Sequence, residues 1–84
     1  GQQPILVPNP TNDESIAIFQ SGADGFATIE VMDARGRTVG KWTTPVVAGT
    51  NRFSIALNNM DAGSYLVRIT SGDALSTQTR LVKF

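Results

Sequence analysis

Phe26-Ala27-Thr28-Ile29-Glu30-Val31-Met32-Asp33 sets Ala27, Ile29 and Val31 on one face and Thr28, Glu30 and Met32 on the other. A two-residue period rich in β-branched side chains is the mark of a half-buried strand, because successive side chains of an extended chain point to opposite faces. The same pattern recurs downstream. Phe53, Ile55 and Leu57 alternate with Arg52, Ser54 and Ala56, and Tyr65, Val67 and Ile69 alternate with Leu66, Arg68 and Thr70. No stretch sustains a helical period. One strand is ambiguous: around Glu14–Gln20, Ile16 and Ile18 compete with Ala17 and Phe19 for the core, so both of its faces can be covered.

Reading outward from these segments predicts seven strands: Pro4–Val7, Glu14–Gln20, Phe26–Asp33, Thr38–Thr43, Arg52–Asn58, Tyr65–Ser71 and Leu75–Lys83. Between them fall Pro8-Asn9-Pro10 with Asn12, Gly22 and Asp24-Gly25, Arg35-Gly36, Pro45 with Gly49, Asp61-Ala62-Gly63, and Gly72-Asp73. These are residues that bend a chain, through missing donors, left-handed backbone or local side-chain bonds. Short strands separated by turns every 8–12 residues or so predict a sandwich or small barrel. If consecutive strands run antiparallel, connections 8–13, 34–37 and 58–63 share one end with the C-terminus, and the N-terminus lies at the other.

The 84 residues suffice for one domain with a thin core. We read residues 1–84 as a single domain of a larger protein, with residues 1–3 as a linker remnant. There is no Cys and no His, which removes the thiol nucleophile, the imidazole base and the usual zinc ligands together. Phosphate-cradling loops and nucleophile elbows are missing as well. No enzyme, cofactor or metal is therefore expected. Asn12-Asp13-Glu14 and Asn58-Asn59-Met60-Asp61 offer oxygens for a calcium ion, but without the alternating acidic loop such sites use, turn formation is the better reading.

The charges cancel overall but not locally. Residues 1–33 carry five acidic groups and no basic one, whereas residues 34–84 carry all seven Lys and Arg against Asp61 and Asp73. A nucleic-acid binder would carry a basic excess, so cross-strand pairing between the halves is expected and no nucleic-acid partner is. Trp42 reads as a packed aromatic rather than a ligand platform.

Asp61-Ala62-Gly63-Ser64-Tyr65-Leu66-Val67 resembles the tyrosine corner of immunoglobulin-like domains, in which the phenol returns to the backbone of the preceding turn. This favours a structural role for Tyr65 over a catalytic one. The expected fold is all-β, a seven-stranded antiparallel immunoglobulin-like β-sandwich. Three features then read together: Val7-Pro8-Asn9-Pro10-Thr11-Asn12-Asp13, the hairpin Met32-Asp33-Ala34-Arg35-Gly36-Arg37-Thr38-Val39, and Met60–Ile69 leading to Arg80-Leu81-Val82-Lys83-Phe84. In this order and spacing the chain, from Val7 to Phe84, resembles the C-terminal sorting domain of the type IX secretion system, the tail of gingipain-like exported proteins. It departs from that family's pattern at Asp61, where the family usually has Pro, and at Arg80, where it commonly has Lys.

The resemblance implies a secretion signal on an N-terminal cargo. Its partners would be the outer-membrane translocon and shuttle proteins, with a gingipain-like sortase at the cell surface. The route would run through the periplasm of a Gram-negative bacterium to the outer membrane, cell surface or extracellular space. Pro8, Asn9, Pro10, Gly36, Arg37, Gly63, Tyr65, Arg80, Leu81, Val82 and Lys83 are the motif residues carried over. Pro8 and Pro10 would stiffen the first corner, and Gly36 and Gly63 would allow positive φ. The competing functions are an adhesive or spacer domain of fibronectin or immunoglobulin type, and a dimer formed through an edge strand.

Overall fold

A computed structural model describes residues 3–71 and 76–84. Among them the chain forms seven strands and no helix: β1 (Ile5–Val7), β2 (Glu14–Ser21), β3 (Gly25–Met32), β4 (Thr38–Val46), β5 (Gly49–Ala56), β6 (Gly63–Thr70) and β7 (Ser76–Lys83). They assemble as a three-stranded sheet of order β1-β2-β5 and a four-stranded sheet of order β4-β3-β6-β7, with every named pair antiparallel. The fold is the expected β-sandwich. Leu75 and the expected turn at Gly72-Asp73 lie outside the described residues.

The core is the sum of the inward-facing alternating residues. Ile29, Val31, Ile55, Leu57, Val67 and Leu81 are fully buried, with Ala27, Ile69 and Tyr65 beside them. Trp42 packs against the core from β4, its ring tilted 49° to that of Phe53 at a centroid distance of 6.0 Å. That geometry adds a modest aromatic contribution to the buried area.

The ambiguous second strand resolves by register. Ala17 lies opposite Phe53 and Ser15 opposite Ile55, so Ala17 and Phe19 face inward and are buried. Ile16 and Ile18 face outward, flanked by Val7 and Ile5 of β1 and by Ser54 and Arg52 of β5, and they remain half-buried. Among the described residues no element covers that outer face.

The turn expected at Pro45 is a strand instead. β4 continues to Val46, with Pro45 opposite Phe26, and β5 begins at Gly49 rather than Arg52. Pro45 is tolerated because β4 is a sheet edge, where a missing donor costs no ladder bond on the outer side. The reversal shrinks to Val47-Ala48, held by the Asn51 side chain, which accepts from the Val47 amide (3.0 Å) and donates to the Val47 carbonyl (2.8 Å). Among the described residues the sequence-distant charges pair across strands once, Glu30 with Arg68 at 4.0 Å.

Candidate recognition site

Three connections and the C-terminal strand meet at one end of the sandwich. The Leu57 amide donates to the Asp13 carbonyl (2.7 Å), Thr11 forms a parallel bridge with Lys83, and Gly63 lies opposite Lys83. The shared end expected for loops 8–13 and 58–63 and the C-terminus is therefore present. The 33–37 hairpin joins them, since it and residues 58–65 line one open groove of about 780 Å³. β1 enters from the far end, with Ile5 opposite Ile18 and Val7 opposite Ile16.

The first corner is a stitch between the two sheets. Both the Val7-Pro8 and Asn9-Pro10 peptide bonds are cis. Past the prolines the chain leaves β1 of one sheet and runs along the outer edge of β7 in the other. There the Asn9 side-chain amide imitates a strand, accepting from the Val82 amide (3.0 Å) and donating to the Arg80 carbonyl (2.8 Å). Thr11 continues the pairing with its own backbone, its amide donating to the Val82 carbonyl and its carbonyl accepting from the Phe84 amide, both at 2.9 Å. Val82 thus spends both backbone groups on this corner. The corner is anchored beneath by two buried hydroxyls: Ser15 donates to the Pro8 carbonyl (2.9 Å) and Thr11 to the Glu14 carbonyl.

The second connection is organised by Asp33. Its Oδ1 accepts from the Arg35 amide (2.9 Å) and the Arg37 amide (3.0 Å), and Oδ2 pairs with the Arg37 guanidinium at 3.0 Å. These donors, led by the Arg37 amide, hold the carboxyl below the usual aspartate range against a smaller opposing effect of burial. Gly36 takes φ +83° in the reversal, a value that an L side chain rarely adopts, and Gly63 takes φ +153° where β6 begins. Both were expected to use positive φ.

The third connection is the tyrosine corner. Met60 donates its amide to the Leu57 carbonyl (2.9 Å), and the Tyr65 hydroxyl donates to the Asp61 carbonyl within that turn. Burial raises the Tyr65 pKa above the ordinary phenol value, and the negative charges of Asp61 and Asp33 add to the rise. A phenol kept protonated by its surroundings is a hydrogen-bond donor, not a base.

The motif residues now separate by what they touch. Leu81 is fully buried opposite Tyr65. Asn9 holds β7, Arg37 is bound to Asp33, and the Arg80 guanidinium donates to Ser64 Oγ at 3.0 Å. Lys83 is half-buried and forms no ion pair with any described residue. Its register partner, Gly63, has no side chain to cover it.

Residues 6–83 match the family model described as the secretion system C-terminal sorting domain. The chain belongs to that family. No curated protein matches the chain. The sorting-domain family is not catalytic, and the match covers all three connections described above together with β7. Thr11, Ser15 and Asp33 are the parts of this end that were not singled out in the sequence. Asp33-Ala34-Arg35-Gly36-Arg37 carried a usable signal, an Asp set to accept from amides two and four residues on. The two hydroxyls carried none, because their carbonyl partners are set by the cross-sheet corner.

Proposed function

We propose that the chain acts as a type IX secretion sorting signal that delivers its cargo to the cell surface or extracellular space. We propose that the outer-membrane translocon and its shuttle proteins read the end where residues 8–13, 33–37, 57–63 and 80–84 meet. Lys83 and Arg80 are the charged groups they read there. A gingipain-like sortase then acts on the chain upstream of the sandwich, after cargo and signal have crossed the periplasm together. The observation that supports this reading is the position of Lys83. It sits on the clamped terminal strand, half-exposed and with no ion-pair partner among the described residues, whereas Arg37 is already committed to Asp33. Pro8, Asn9, Pro10, Gly36, Gly63, Tyr65, Leu81 and Val82 serve recognition indirectly, by holding that strand in place.

Arg80→Ala/Lys83→Ala tests it, with the melting temperature of the chain and the surface fraction of a fused reporter measured side by side. Surface charges of this kind change stability by about 0.5 kcal/mol or less. Loss of export from a folded variant is the expected result. Export at the wild-type level would remove these charges from the signal.

A further inference from the structure

Asn58, Asn59 and Asp61 read in the sequence as residues that stabilise their own turn, yet that turn closes through the main chain. The Met60 amide bonds to the Leu57 carbonyl, and the Asp61 carbonyl takes the Tyr65 hydroxyl. The side chains of Asn58, Asn59 and Asp61, like the Arg35 guanidinium, form no hydrogen bond or ion pair with a described residue. Other turns of the fold do use such side chains: Asn9, Asp24, Asp33 and Asn51 all bond main chain. The uncommitted groups come together, because all four line the open groove of about 780 Å³. Trp42 lines it too. The six-membered part of the indole lies against Gly40, where a Cβ would come 2.5 Å from Trp42 Cη2 and 3.2 Å from the Met60 methyl. No left-handed backbone calls for glycine at 40; the close approach of the ring does. The indole is thereby fixed between strand, Met60 and Phe53, while its N–H bonds to no described residue and is not buried.

We infer that this groove is a binding site for a neutral saccharide chain of flat, equatorially substituted pyranose rings, as in a β-1,4-linked glucan. Such a ring has apolar C–H faces that suit an immobile indole, and a rim of hydroxyls that each donate and accept. The two Asn amides offer donors and acceptors, Asp61 only acceptors, and Arg35 and the indole N–H only donors, so the set matches hydroxyls of either sense. Charge selects no ion: Arg37 is paired with Asp33, and Arg35 offsets Asp61. The volume falls within the range of ligand clefts, about 300–1,000 Å³, and an apolar surface with a few polar groups is their usual lining. A peptide fits less well, since peptide docking draws on the main chain of a strand edge or on side-chain pockets. Here the uncommitted groups are loop side chains. The inference does not depend on the sorting reading. Trp42 and Lys83 stand on β4 and β7, the opposite edges of their sheet.

Trp42 is the only tryptophan of the chain, so its fluorescence reports on the groove directly. Titration of the chain with cellohexaose and with chitohexaose should give a saturable change, with calorimetry as the second measurement. Sorbitol, which has the hydroxyls but no ring face, should give none. Asn58→Ala/Asn59→Ala should weaken binding about tenfold or more, the scale of losing two hydrogen bonds. Its melting temperature should stay within a few degrees, because neither side chain is bonded to the fold. Gly40→Ala should weaken binding as well by displacing the ring, and the asparagine pair keeps the test decisive if that variant unfolds. Arg52→Ala/Ser54→Ala, on the other sheet, should bind as wild type does. No response to either oligosaccharide would overturn the proposal. So would wild-type affinity in the folded Asn58→Ala/Asn59→Ala variant, or a response to sorbitol equal to that for the sugars. Loss of reporter export by that variant, with no saccharide binding by the wild type, would assign the groove to a protein partner and overturn it too.

Discussion

Replacing Asn9 with Ala removes the side chain that, among the described residues, bonds to the outer edge of β7 at Arg80 and Val82. Two hydrogen bonds are lost. Each is worth about 0.5–1.5 kcal/mol net, and both lie where water can replace the lost partner, so the total should be about 1–2 kcal/mol. For a domain of this size each kcal/mol moves the melting temperature by about 4–8 °C, which makes the effect easy to measure. Asn9→Asp is the sharper perturbation. It keeps an acceptor for the Val82 amide but turns the other oxygen, now without a proton, toward the Arg80 carbonyl. At neutral pH it should destabilise at least as much as Ala. That carboxyl should titrate above the ordinary aspartate range, because its charged form faces a carbonyl. Stability should therefore return as pH falls and the proton restores a donor, while Asn9→Ala shows no such recovery. Amide exchange localises the effect: the Val82 amide should lose protection, while that of Leu81, within the β6–β7 ladder opposite Tyr65, keeps it. Unchanged Val82 protection together with a melting temperature within 1–2 °C of wild type would refute the clamp.

Tyr65→Phe should cost about 1 kcal/mol in urea denaturation, the net value of its bond to the Asp61 carbonyl, and Tyr65→Ala about 3 kcal/mol or more through the cavity it leaves. Leu81→Ala should cost about 2–5 kcal/mol, because this side chain is fully buried on the terminal strand. Gly36→Ala should destabilise by about 1 kcal/mol, since φ +83° must be kept for the Asp33 amide bonds to form. The lowered Asp33 pKa predicts stability that is present above about pH 4 and lost as pH falls through the folded value. The raised Tyr65 pKa predicts stability present below about pH 10 and lost above it. A melt series across both limits, repeated for Asp33→Asn and Tyr65→Phe, should show each limb flatten in the matching variant.

The seven strands were legible because alternation is a local property. The side-chain period that marks Ala27, Ile29 and Val31 as inward needs no knowledge of the partner strand, and turn residues punctuate the chain at the same scale. The tyrosine corner was legible for the same reason, since Tyr65 and Asp61 lie within four residues of one another. Antiparallel order alone placed the three connections at one end. What lay beyond local reading depended on neighbours distant in sequence. Pro45 looks like a strand breaker until β4 is seen to be an edge. Ile16 and Ile18 are as apolar as any core pair, and only the register with β5 turns them outward. The tie that Asn9 makes to the terminal strand, and the lack of any ion-pair partner for Lys83 among the described residues, depend on contacts up to 73 residues apart. Periodicity assigns a residue to a face, but which faces meet is settled by the packing of both sheets at once, and that exists only in the folded chain.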